Sequence, residues 1–211
     1  MNKKTGYSKK KYAHLSKKIL NSMDILSLYT SDYNTIMHGR EISKIIKESQ
    51  RSISNKLLFL SKNQILVAKK RGQVKEYKLN LKNGLLKHIL IVSEEIKGID
   101  LISKHYRLQD LFTNLDNIVK GQIIIFGSFA RGDYSNSSDL DILIIGKYNS
   151  NKFSELINMY PFKIHKVDMT WKSFEKGLLK KDNFMLELLK NHIIIKGSSE
   201  IVDLFWRFYN G

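Results

Sequence analysis

Apolar residues recur along this chain at two periods, and each change of period marks a new element. In ILNSMDILSLYT (19–30), Ile19, Met23, Leu26 and Leu28 keep helical spacing and predict a first helix. REISKIIKE sets Ile42, Ile45 and Ile46 on one helical face. Ser49 is placed to cap QRSISNKLLFLSKN, where Ile53, Leu57 and Leu60 again share a face. The period then shortens: QILVAKK and QVKEYKLN read as strands, with Tyr77 and Leu79 alternating against Lys78 and Arg71-Gly72 as the hairpin between them. From Gly84 to about Lys120 helical spacing returns in LLKHILIV and LQDLFTNLDNIV, predicting a helical connector. Its stripe of Leu85, Ile89, Val92 and Ile96 serves either as a homodimer seam or as packing against one of the flanking domains. QIIIF (122–126), DLDILII (139–145) and residues 163–169 read as strands, and the segment from Asn183 onward as helix, short strand and terminal helix.

Charge divides the chain as sharply as periodicity does. Residues 1–82 hold 19 Lys and Arg against 5 Asp and Glu, a net +14, whereas residues 83–211 hold 17 against 15, a net +2. A segment so basic attracts a polyanion, with nucleic acid the first candidate and an anionic membrane surface the rival. The Lys-rich start through about Lys11 reads as a mobile arm. There is no cysteine, which excludes disulfides and thiolate metal sites. With no signal-peptide core and no run long enough to span a bilayer, the expectation is a soluble cytoplasmic protein without a membrane partner.

The segment HGREISKIIKESQRSISNKLLFLSKNQILVAKKRGQVKEYKLN resembles the winged helix-turn-helix domains of prokaryotic transcription regulators in the order and length of its elements. That resemblance implies a second helix lying in the major groove of duplex DNA, with Gln50, Arg51, Ser52, Ser54 and Asn55 on or near its base-facing side. Arg pairs with guanine and Asn or Gln with adenine, so these are suitable side chains. Lys69, Lys70, Arg71 and Lys75 at the hairpin would lie on phosphates.

The chemistry sits in GSFARGDYSNSSDLDI (127–142). On a strand, Asp139 and Asp141 project to one face and Leu140 and Ile142 to the other. Two carboxylates held that close repel unless a cation lies between them, and oxygen donors suit a hard divalent ion. Asp168, near the end of the strand in FKIHKVDMTW, is the candidate third ligand; the alternative is a cap for the helix that follows. Three such carboxylates would hold one or two Mg²⁺ ions. Gly127 allows close approach of a ligand, Ser128 offers its N–H and hydroxyl to phosphate oxygens, and Arg131 adds a fork for phosphate. His165 precedes Asp168 by three positions and so falls on the other face of its strand, which leaves it an outside candidate for a base. The remaining histidines show no zinc spacing.

This stretch is similar to the Gly-Ser…Asp-x-Asp signature of the DNA polymerase β-like nucleotidyltransferases, particularly the minimal prokaryotic ones. The resemblance spans roughly residues 121–200. It implies a Gly-Ser step that holds a nucleoside triphosphate, metal binding by Asp139 and Asp141, and a third carboxylate matched by Asp168. It also implies transfer of a nucleoside monophosphate to a hydroxyl, with release of pyrophosphate. The acceptor could be a partner protein, as for antitoxin-like relatives that modify a toxin.

The fold expected is α+β: a winged helix over 1–82, a helical connector over 83–120, and a nucleotidyltransferase domain with a small mixed sheet over 121–211. Alongside the DNA-binding transferase stand two further readings, a regulator whose second domain senses nucleotide without turnover, and a small-molecule nucleotidyltransferase.

Overall fold

The computed structural model describes residues 15–135 and 138–211. The predicted Lys-rich arm lies outside the described residues. The chain forms two compact units, Met1–His88 and Ile89–Gly211. Among the described residues no helix is long and apolar enough to cross a membrane.

In the first unit a helical run over 15–20 is followed by α1 (Met23–Ser27). The single helix expected over 19–30 is interrupted at Asn21-Ser22. There the Ser22 hydroxyl donates to the carbonyl of Lys18 at 2.9 Å, a local bond that competes with regular helix. A two-residue strand, β1 (Met37–His38), leads into α2 (Gly39–Ile46) and α3 (Gln50–Lys62). Ser49 caps α3 by accepting from the Ser52 N–H at 3.2 Å. The hairpin β2 (Leu66–Arg71) and β3 (Val74–Leu79) completes an antiparallel sheet of order β1-β3-β2. β1 is too short to show a period of its own, and only pairing with Tyr77 and Glu76 defines it.

Ile25, Leu26, Tyr29, Ile42, Ile53, Leu57, Leu60, Leu66 and Leu79 are buried in this unit. Their helical and alternating spacing turns one face of each element inward. The Tyr29 hydroxyl donates to the Tyr77 carbonyl at 3.1 Å, and burial raises its pKa well above the ordinary tyrosine value. Lys56 reaches Asp24 and Glu48, both at 2.6 Å. Burial works against its charge, yet those two hydrogen bonds hold its pKa above the usual lysine value.

The second unit is built on a mixed four-stranded sheet of order β6-β5-β4-β7, from β4 (Val119–Phe126), β5 (Leu140–Tyr148), β6 (Ile164–Met169) and β7 (Ile193–Lys196). β5 and β6 run parallel; β4 is antiparallel to both β5 and β7. The helices are α4 (Gly84–Lys104), which crosses the division between units, α5 (Tyr106–Ile118), α6 (Gly127–Arg131), α7 (Ser150–Ile157), α8 (Trp171–Lys180), α9 (Asn183–Lys190) and α10 (Ser198–Asn210).

Leu108, Leu111, Phe112 and Leu115 of α5 share one core with Ile123, Ile125, Ile142, Ile144 and Phe153. The second half of the expected connector is therefore part of the sheet's own core, because an apolar stripe records that a face is covered but not by what. Within the α4 stripe Ile89 is buried, while Leu85, Val92 and Ile96 remain exposed.

Glu94 and His192 are fully buried, 3.1 Å apart, and Lys97 stands 2.9 Å from Glu94. Burial alone would raise the Glu94 pKa; the Lys97 and His192 charges and hydrogen bonds outweigh it and hold the carboxyl below its ordinary value.

Candidate active site

β4 ends at Phe126, and the chain turns at once into α6. Gly127 takes φ 69°, and a Cβ there would collide with Oδ2 of Asp141. Turn and carboxylate occupy neighbouring space only because residue 127 is glycine. Ser128 follows on the first turn, and its carbonyl accepts the N–H of Gly132 at 2.9 Å, which closes the helix at a left-handed residue. Arg131 is exposed, with its Nε donating to Asp133 at 3.0 Å.

Asp139 immediately precedes β5, and Asp141 lies in it opposite Phe126 of β4. The parallel register sets His165 of β6 beside Asp141, so all three side chains share one face. His165 Nε2 lies 3.5 Å from Asp139 Oδ2, and Nδ1 lies 3.5 Å from Asp141 Oδ1.

The same register places Asp168 opposite Ile144, on the other face of the sheet. The expected convergence of Asp139, Asp141 and Asp168 is thus not seen in this register: His165, not Asp168, lies beside the pair. The reason is parity, since an odd separation along a strand reverses the face. On its own face Asp168 accepts from the Tyr148 hydroxyl at 3.0 Å and from the Lys166 ammonium. Burial opposes the Lys166 charge, but Asp168 and Tyr148 keep its pKa above the usual value. Nor does Asp168 cap the next helix, because Thr170 does so by accepting from the Ser173 N–H at 3.1 Å. One sequence signal foretold this fate: Lys166 and Asp168, two apart on a strand, face the same side as an ion pair.

Each ring nitrogen of His165 faces a different carboxylate, and among the described residues no group of three or more His, Cys, Asp or Glu side chains is placed to hold a metal ion. Asp139 and Asp141 nonetheless fit a divalent ion. They are a pair of oxygen donors at one strand end, and the missing side chain of Gly127 leaves room for the Asp141 carboxylate.

In the first unit Gln50, Arg51, Ser54 and Asn55 are exposed on α3. Ser52 is not with them, because its hydroxyl donates to Glu48 Oε2 at 2.6 Å, tying it toward the helix's inner side. Lys69, Lys70, Arg71 and Lys75 are all exposed on the hairpin, divided between its faces. Lys70 and Lys75 are direct cross-strand partners on the side of Leu66 and Leu79, while Lys69 and Arg71 point the other way toward Glu76.

Residues 107–205 match the family model of the nucleotidyltransferase domain. Most of the second unit is therefore similar to a nucleotidyltransferase domain. The chain is also similar to two proteins of Methanocaldococcus jannaschii, each named "Putative protein adenylyltransferase". One is 31% identical over 91 residues, covering 41% of this chain and 64% of the relative; the other is 68% identical over 25 residues, covering 12% and 25%. The chain thus spans less than two thirds of either relative's length. No solved structure matches it.

Proposed function

We propose that this protein transfers a nucleoside monophosphate, AMP in the first instance, from a nucleoside triphosphate to a hydroxyl group on a protein, and that its first unit binds duplex DNA. The observation that carries the transfer is the placement of Asp141 against Gly127, with Asp139 two residues before it, inside the matched domain. The acceptor oxygen attacks the α-phosphorus, the new P–O bond forms as the bond to the β-phosphate oxygen breaks, pyrophosphate leaves, and the hydroxyl proton passes to solvent. Ser128 offers its N–H and hydroxyl to the triphosphate, and Arg131 lies one turn further along the same short helix. Asp139 and Asp141 would hold a divalent cation, which supplies charge neutralisation at the phosphates and the entering oxygen. The names of the two relatives support AMP and a protein acceptor.

The test is incubation of the full chain with each labelled nucleoside triphosphate, a divalent cation and a native lysate. Label from ATP in a protein band, lost in Asp141→Asn, is the expected result; label in small molecules alone would move the acceptor to that class. Asp168's position across the sheet favours one alternative, a nucleotide sensor. Tight triphosphate binding with no transfer to any acceptor would establish it.

For the first unit we read a winged helix. Its element order, the sheet order β1-β3-β2 and the exposed Gln50, Arg51, Ser54 and Asn55 support that reading. Lys70 directly opposite Lys75 is an unfavourable pair by itself, and a phosphate between the two would relieve it. If about six phosphates are neutralised, log affinity should fall with log salt at a slope near −5. A salt-independent affinity, or none in low salt, would remove DNA as the partner.

A further inference from the structure

We infer that the free edge of β6 receives the acceptor as an extended protein segment, which adds a strand to the sheet and carries its hydroxyl toward Asp139 and Asp141. This rests on the nucleotidyl-transfer reading above and names the form in which its protein acceptor is held.

β6 ends the sheet order β6-β5-β4-β7, so it has a strand neighbour on one side only. The Leu140 N–H donates to the Lys163 carbonyl at 2.9 Å, which turns the carbonyl of residue 163 toward β5. Backbone direction alternates along a strand, and the parallel register runs from Leu140 opposite Ile164 to Ile145 opposite Met169. The N–H and C=O groups of His165 and Val167 therefore also point toward β5, and those of Ile164, Lys166 and Asp168 point away from it. Among the described residues none of these outward groups has a hydrogen-bond partner in the chain. Such a row is a template for one more strand, because alternating donors and acceptors at strand spacing match another peptide backbone.

The other end of the sheet is treated differently. A Cβ at Gly98 would come within 2.8 Å of the Ile194 carbonyl, so α4 packs directly on the backbone of β7. The row of unpaired groups lies instead on the strand that borders the carboxylates. His165 stands beside Asp141 on their face, and in a further strand the residue opposite His165 points to that same face. Its backbone would lie about 4.8 Å beyond β6, with the exposed His165 side chain between it and the pair. A hydroxyl-bearing side chain at that place extends over β6 toward Asp139 and Asp141. Its neighbours along the segment point to the opposite face and do not compete for the site.

The experiment compares two substitutions at one outward-facing residue, using the full chain in the assay with labelled triphosphate and native lysate. Proline lacks the N–H that would bond an added strand and is tolerated on an edge strand where that N–H faces away from the sheet; asparagine keeps it. Asp168→Pro should lower protein labelling at least about tenfold against Asp168→Asn, with the same affinity for a non-hydrolysable triphosphate analogue and the same circular dichroism spectrum. A second measurement needs no variant, and so holds even where the proline disturbs the fold: amide hydrogen exchange of the wild-type chain, alone and with the acceptor protein that the assay labels. Exchange at Ile164, Lys166 and Asp168 should slow at least about tenfold when the acceptor is added, while His165 and Val167, bonded to β5, are protected in both states. Equal labelling by two folded variants, or unchanged exchange at the three outward amides, would overturn the edge as the docking site and leave the transfer intact. No labelled protein from the wild-type chain would instead remove the transfer reading, and this inference with it.

Discussion

The two faces of the β5–β6 pair carry the same ingredients in opposite arrangements. On one face, two carboxylates meet a single exposed imidazole. On the other, one carboxylate meets a lysine and a tyrosine hydroxyl. The Asp168 face is internally balanced and asks for nothing from solution. The Asp139–Asp141 face brings two carboxylates together at one strand end, next to a backbone turn opened by Gly127. Excess charge at a point of close backbone approach separates a ligand site from a structural ion pair, even when the residues involved are neighbours on the same strands.

That contrast is open to direct attack, beginning with the largest effect. Asp139→Asn or Asp141→Asn should lower transfer by about 10²-fold or more, since the metal's charge stabilisation is worth several kcal/mol. The melting temperature should move by only a few degrees, because neither side chain belongs to the core. Near-normal turnover in a well-folded variant would erase the difference between the faces.

Ser128→Ala comes next. Loss of a single charge-assisted phosphate contact, about 1.5 to 3 kcal/mol, should weaken triphosphate binding by roughly tenfold to a hundredfold in a titration with a non-hydrolysable analogue. An unchanged affinity would place the triphosphate elsewhere.

On the opposite face, Lys166→Met leaves Asp168 without its cation. A stability loss on the order of 1 kcal/mol is expected by urea unfolding, moderated by solvent because Asp168 is 49% exposed. Transfer should stay within a factor of about three. A large kinetic loss with intact stability would show that this face takes part in the reaction.

The smallest effect belongs to Asp168→Asn, with at most about 0.5 kcal/mol of stability and no change in nucleotide binding or turnover. Loss of turnover here, with binding retained, would return Asp168 to the catalytic group and require a different β5–β6 register.

The sign of one pH effect is also set. Glu94 has its folded pKa depressed below the unfolded value, so the stability it contributes is complete above the ordinary carboxylate range. It is lost as pH falls through the lowered value. Glu94→Gln should therefore flatten acid unfolding of the second unit, measured by circular dichroism; the same acid midpoint in both proteins would exclude Glu94 as a source of that sensitivity.

Much of this protein was legible as a string. Alternation in DLDILII put Asp139 and Asp141 on one face, Gly-Ser at a strand end announced a close approach, and Ile53, Leu57 and Leu60 announced the inner face of α3. These succeed because local geometry fixes side-chain direction within an element. β1 was not legible, since two residues carry no period. Nor was the inward turn of Ser52, which depends on Glu48 standing one helical turn before it.

What the sequence determined alone, then, were the faces of single elements and the charge of single segments, including the +14 carried by residues 1–82. Tertiary structure decided which faces meet. The choice between His165 and Asp168 was already a choice between two faces of one strand, but only the parallel register of β6 against β5 decided which face looks toward Asp141. Register between strands joined by a long connection is set by packing of the whole sheet between its helices, a property that no stretch of sequence around residues 163–169 contains.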